Sequence, residues 1–241
     1  VRLVGSEMCI RDRFLVDSAR LVAVNSQDEV MIATRKGGMA VREGDKLAGM
    51  RVIPLIIEEE KLRKAEQAAG DKPLLSLKPY VRKTACIVAT GGEVKKGLIK
   101  DTFTPVVIDK LKTYGIETLE VVYSGDGVEN VRDAVLAMRE KKPDMILCTG
   151  GMSVDPDDNT PGGIKAAGAN IIAYGAPVLP GAMFLLGYFD DGMPVMGLPG
   201  CVMYAKRTIF DLLLPRLLAD DPITAEDIAR LGEGRLLYTS D

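Results

Sequence analysis

The order of apolar and polar residues changes character once along the chain. From residue 14 to 57 it is β-rich. Residues 20–25 alternate apolar and polar positions, and a second run, 28–34, follows a polar turn. Gly37-Gly38 and Glu43-Gly44-Asp45 are turn signals. Residues 51–57 predict another strand, with Pro54 assigning it to an edge or a bulge. Residues 58–69 predict a short charged helix stopped by Gly70. Gly70-Asp71-Lys72-Pro73 then opens a linker, expected over 71–82, after a partial β-rich region at 14–70.

From Thr84 the pattern alternates strand and helix. Continuous apolar runs at 85–90, 118–123, 144–149 and 169–174 predict strands. Residues 105–114 have helical spacing and stop at Gly115. Residues 128–141 form an amphipathic helix with Val131, Val135 and Met138 on one face. Thr160-Pro161 predicts a short helix, with Thr160 as cap and proline in the first helical position. Residues 184–188 and 194–198 read as paired strands around Asp190-Asp191-Gly192, and 201–218 as one long apolar helix. Fully apolar strands joined by helices predict a sheet covered on both faces. The expected fold is α/β, a three-layer sandwich with a mostly parallel sheet over residues 83–218, preceded by the small β-rich region.

The ends read differently. Residues 1–13 (VRLVGSEMCIRDR) and 236–241 (LLYTSD) resemble translated sequencing-adapter sequence, the alternative being a short strand at each end. Beginning at Val1 rather than Met, the chain is expected to be a fragment.

Composition narrows the chemistry. The formal charge is −3, with no excess of Lys and Arg to neutralise a nucleic-acid backbone. The chain has no His, which removes His-based triads, His metal ligands and His acid–base catalysis. Cys9, Cys86, Cys148 and Cys201 form no CxxC pair, so a structural zinc site is not expected and a reducing cytoplasm is. No apolar run reaches the roughly 18 residues that a membrane span needs.

In sheets of this kind ligands bind beyond the carboxyl ends of the strands. Three loops there hold glycines that allow close backbone approach. The first, Thr90 to Asp101, carries Gly91, Gly92 and Glu93 with Lys95, Lys96 and Lys100 positioned to meet a phosphate; the alternative is a tight turn with solvated lysines. The second, Thr149 to Pro161, holds Gly150, Gly151 and Ser153, then Asp155, Asp157 and Asp158 just before a helix. One carboxylate is explained by capping. Three beside a phosphate ligand need a cation between them, and Mg²⁺ takes one or two carboxylates plus ligand oxygens; the alternative is a solvated acidic loop. The third, Pro199-Gly200-Cys201, precedes the last helix; its thiol is either activated there or structural, the structural reading being favoured.

The runs TGGEVKKGLIKDTF (90–103), CTGGMSVDPDDNTP (148–161) and LPGCVMYA (198–205) resemble the motifs of the molybdenum-cofactor biosynthesis domain family, the last being similar to molybdopterin molybdenumtransferases. The resemblance implies an α/β homo-oligomer that holds molybdopterin over the strand ends and acts in the cytoplasm. The implied reaction is a molybdenumtransferase-like insertion of molybdate into adenylylated molybdopterin, or else molybdopterin adenylylation. It implies Asp101, Asp157 and Asp158 as catalytic carboxylates, Asp157 and Asp158 as Mg²⁺ ligands, and a molybdopterin cradle of Thr90, Gly91, Gly92, Glu93, Thr149, Gly150, Gly151, Ser153, Thr160, Pro199 and Gly200. Ser153-Val154 favours the transferase branch and Thr160-Pro161 the adenylyltransferase branch. Phe103 and Cys201 stand where the family has Asn. Both remove a polar side chain, which motivates a second reading as a non-catalytic carrier or sensor of molybdopterin. A third comes from the related domain of competence/damage-inducible proteins, linked to nicotinamide-nucleotide metabolism; it is less favoured because their Gly-Gly loop typically lacks Ser-Val.

Overall fold

A computed structural model describes residues 12–153 and 158–234. The chain divides into two compact units between Tyr80 and Val81.

The first unit runs β1 (Asp12–Val16), α1 (Ser18–Asn25), β2 (Val30–Thr34), β3 (Ala40–Val41), β4 (Ala48–Val52), α2 (Glu59–Ala69) and β5 (Leu75–Pro79). β1 lies between β3 and β5, antiparallel to both, and β2 pairs antiparallel with β4. Val24, Val30 and Ala65 centre a small core. Residues 20–25, expected as a strand, are helical. Local capping overrides the alternating pattern: the Asp17 carboxylate accepts from Arg20 N at 3.0 Å, and the Arg20 guanidinium donates to the carbonyls of Ala69 and Pro73 at 2.8 and 3.0 Å. β4 ends at Val52, so the strand expected over 51–57 stops two residues before Pro54. The stretch expected as a linker contains β5, and β1 takes in Asp12 and Arg13 from the expected adapter stretch.

The second unit runs β6 (Thr84–Thr90), α3 (Gly92–Lys95), α4 (Phe103–Lys112), β7 (Glu117–Ser124), α5 (Val128–Glu140), β8 (Met145–Thr149), α6 (Thr160–Ala166), β9 (Asn170–Tyr174), β10 (Leu185–Tyr188), β11 (Pro194–Leu198), α7 (Ile209–Leu218) and α8 (Ala225–Ala229). The strand order is β7-β6-β8-β11-β10-β9. β7, β6, β8 and β11 are mutually parallel; β10 runs antiparallel to both β11 and β9, so β9 again points the way of the parallel set.

The central strands are apolar throughout because both faces are covered. On one face Cys86, Val88, Ile146 and Cys148 pack with Val131, Val135 and Met138 of α5 and Ile164 of α6. α6 lies close on α5 because Gly163 has no side chain: a Cβ there would run into Val131. α4 packs on β7, and a 2.7 Å ion pair between Lys110 and Asp211 joins it to α7. The expected helix over 201–218 is broken. A 3-10 turn spans Gly200–Met203, and α7 begins only at Ile209. The cause is a reciprocal cap, in which the Thr208 amide donates to Asp211 Oδ2 at 2.8 Å and the Asp211 amide donates to the Thr208 side chain. No helix among the described residues is long and apolar enough to cross a membrane.

Candidate functional site

Strand register brings the three Gly-rich loops to one edge of the sheet. Thr90, the last residue of β6, pairs with Ser124 of β7, while Thr149 of β8 is registered with Ala89 on one side and Leu198 of β11 on the other. The chain therefore leaves four neighbouring strands at one level, and Gly91, Gly150 and Gly200 follow within two residues of those ends.

Hydrogen bonds then tie loop to loop. Thr90 Oγ1 donates to the Thr149 carbonyl at 2.9 Å and lies 3.1 Å from Thr160 Oγ1. Thr160 Oγ1 donates to the Gly150 carbonyl at 2.8 Å, and Thr160 N to the Gly151 carbonyl at 3.3 Å. Thr160, expected as the cap of α6, is instead its first residue; its buried hydroxyl serves the loop before it. Gly150 and Gly151 take φ of +83° and +56°, and a Cβ on Gly150 would strike the Thr90 carbonyl oxygen. Only glycine satisfies both conditions. Thr102 Oγ1 lies 3.3 Å from Met203 Sδ, joining the end of the first loop to the third.

Individual residues take distinct places. Thr149 is buried at 3% exposure, so its side chain belongs to the sheet end. Glu93 lies in the first turn of α3 with its side chain exposed, as are Lys95, Lys96 and Lys100. Pro199 and Gly200 form the entry to the 3-10 turn. Asp101 Oδ1 accepts from Phe103 N and Thr104 N at 2.9 and 3.0 Å, at the start of α4. Its Oδ2 is buried without a hydrogen bond of normal geometry. Burial pushes its pKa up, but the nearby Thr104, Phe103 and Tyr123 groups outweigh this and hold it below the usual carboxylate range. Asp158 Oδ2 accepts from Ser153 N at 2.8 Å. Asp157 lies outside the described residues.

Asp101 and Asp158 are thus engaged with different loops, and among the described residues no three potential metal ligands cluster. The described carboxylates do not by themselves build a magnesium cage. Cys201 offers no activated nucleophile. Burial raises its thiol pKa, against weaker opposing effects of nearby amides and Lys110. Its alkylation by iodoacetamide at pH 7 is expected to be slower than that of a free cysteine, and to speed up as pH rises toward the thiol pKa; fast labelling at pH 7 contradicts this.

Sequence reasoning missed a fourth turn, Ser124 to Gly127, at the same edge. Asp126 Oδ2 accepts from Gly92 N at 2.9 Å, and Gly91 N donates to the Ser124 carbonyl at 3.2 Å. The signal was available: Ser124-Gly125-Asp126-Gly127 follows a strand as the other loops do. Tyr174, at the end of β9, was also missed; its hydroxyl lies 3.3 and 3.2 Å from the Met152 and Ser153 carbonyls. Two surface clefts lie elsewhere. One, beside Arg82, Tyr188, Asp191 and Asp220, is at the opposite end of the strands, and the other flanks the outer edge of β7.

Comparison with known proteins agrees with this geometry. Residues 86–219, just over half the chain, match the family described as "Probable molybdopterin binding domain". A CinA-like protein of Mycobacterium tuberculosis (strain ATCC 25177 / H37Ra) is 33% identical over 76 residues, which are 32% of this chain and 18% of that protein. A CinA-like protein of Petrotoga mobilis is 32% identical over 76 residues, 32% of this chain and 19% of its own. The chain thus spans about a fifth of the length of these curated relatives. The crystal structure of the molybdopterin biosynthesis enzyme MoaB from Thermus thermophilus superimposes with a TM-score of 0.50 at 17% identity, over 59% of this chain and 98% of that one, and shares the fold. By the extent of the family match, with its motif loops carried on one sheet edge, the chain belongs to the molybdopterin-binding domain family of molybdenum-cofactor biosynthesis.

Proposed function

We propose that the second unit binds molybdopterin along this edge and performs a molybdenumtransferase-like step, inserting molybdate into adenylylated molybdopterin. The observation that carries the reading is the convergence of Gly91-Gly92, Gly150-Gly151 and Pro199-Gly200 at three adjacent strand ends. Successive backbone N–H groups in such turns make anion-binding concavities, suited to the phosphate of a pterin ligand. The cradle comprises Thr90, Gly91, Gly92, Glu93, Thr149, Gly150, Gly151, Ser153, Thr160, Pro199 and Gly200. Asp101, Asp157 and Asp158 are its proposed catalytic carboxylates. Magnesium would be held by Asp157 and Asp158 together with oxygens of the ligand. A homo-oligomer acting in the cytoplasm completes the proposal.

Two observations favour other readings. Phe103 and the half-buried Cys201 leave the first and third loops short of polar side chains, which favours a molybdopterin carrier. The likeness to CinA-like proteins favours nucleotide chemistry. One set of assays separates them. Purified protein given adenylylated molybdopterin, molybdate and Mg²⁺ is expected to yield molybdenum-loaded cofactor. Tight pterin binding without turnover selects the carrier, adenylylation of free molybdopterin by Mg-ATP selects the adenylyltransferase, and hydrolysis of ADP-ribose selects the nucleotide enzyme. Failure to bind molybdopterin at all overturns the reading.

A further inference from the structure

We propose that Tyr174 is a positioning residue for this site, its hydroxyl holding the Met152–Ser153 turn so that the Ser153 amide is set on Asp158. The proposal rests on the molybdopterin reading above.

Tyr174 closes β9, the outermost strand on that side of the sheet, separated from β8 by β11 and β10. Since β9 points the same way as β8 and β11, its carboxyl end reaches the same edge. The second loop crosses the intervening strands to meet it. Met152 is buried and lies over Gly197 of β11, where any Cβ would collide with its sulfur. Beyond Met152 the chain comes under the phenol, whose single proton is shared between the Met152 and Ser153 carbonyls.

Those two contacts complete a set. The carbonyls of Gly150 and Gly151 are held by Thr160 Oγ1 and N, and those of Met152 and Ser153 by Tyr174. In a planar trans peptide the N–H points opposite to the preceding carbonyl. Fixing consecutive carbonyls therefore fixes the direction of the Gly151, Met152 and Ser153 amides. The Ser153 amide is turned onto Asp158 Oδ2, one of the proposed catalytic carboxylates. Tyr174 thus acts on the ligand only through the turn. Burial and then the Asp158 charge raise its pKa, which keeps the phenol a donor at neutral pH.

The test titrates the full chain with molybdopterin. Tyr174→Phe is expected to weaken binding about tenfold, equivalent to about 1.4 kcal/mol. Tyr174→Phe is also expected to speed hydrogen exchange of the Ser153 amide, because the turn that holds this amide on Asp158 loosens. A purely structural role moves the melting temperature of Tyr174→Phe and leaves affinity and Ser153 exchange alone. Binding by Tyr174→Phe within twofold of wild type, or Ser153 exchange unchanged from wild type, overturns the proposal alone. Absence of binding by the wild-type chain overturns the functional reading and this inference with it.

Discussion

Replacing Gly150 by Ala is expected to lower unfolding free energy by roughly 2–4 kcal/mol and to weaken molybdopterin binding at least about tenfold. Two effects add at this position. A left-handed φ of +83° disfavours any L side chain by about 1–2 kcal/mol. The new Cβ also meets the Thr90 carbonyl oxygen, a backbone atom at the end of a central strand that cannot rotate away. Relief requires the second loop to leave the first, which opens the cradle. Gly168 supplies the control. Its φ is +92°, yet nothing lies within 4 Å of its would-be Cβ, so Gly168→Ala carries the conformational cost of about 1 kcal/mol and leaves binding unchanged. Urea denaturation of the two variants, with a binding titration of each, distinguishes them; equal destabilisation removes the collision from the account.

Thr160→Val is the second large effect, with an expected loss of about 1–3 kcal/mol. The valine keeps the shape and removes a buried hydroxyl that donates to the Gly150 carbonyl and contacts Thr90 Oγ1. The Gly150 carbonyl is left without this donor, and the first and second loops lose their shared link. Thr160→Ser restores the hydroxyl and is expected to recover most of the loss. If Thr160→Ser is as unstable as Thr160→Val, the methyl contact and not the hydrogen bond holds the loops.

The sequence was legible where one physical signal dominated. β6 and β8 are unbroken apolar runs because both faces of the sheet are covered, and α5 shows its buried face in Val131, Val135 and Met138. The glycine pairs marked the cradle because tight turns and close approach demand them. Legibility failed where local and distant effects competed. Residues 20–25 alternate like a strand, yet the Asp17 cap and the Arg20 contacts make them helical. The apolar stretch from Cys201 to Leu218 concealed the Thr208–Asp211 cap that divides it. The antiparallel pairing of β10 with β11 was legible in the turn Asp190-Asp191-Gly192, whereas its pairing with β9 is invisible to periodicity. Tyr174 meets its loop across 21 and 22 residues of chain, a separation no local pattern records.

The central claim is that backbone amides at one edge of the sheet receive the pterin. Amide chemical-shift mapping of the isotope-labelled chain during a molybdopterin titration tests it most directly. The account predicts saturable shifts at Gly91, Gly92, Gly150, Gly151 and Gly200 together. Shifts confined to the cleft beside Arg82 and Asp220, at the other end of the strands, would contradict it.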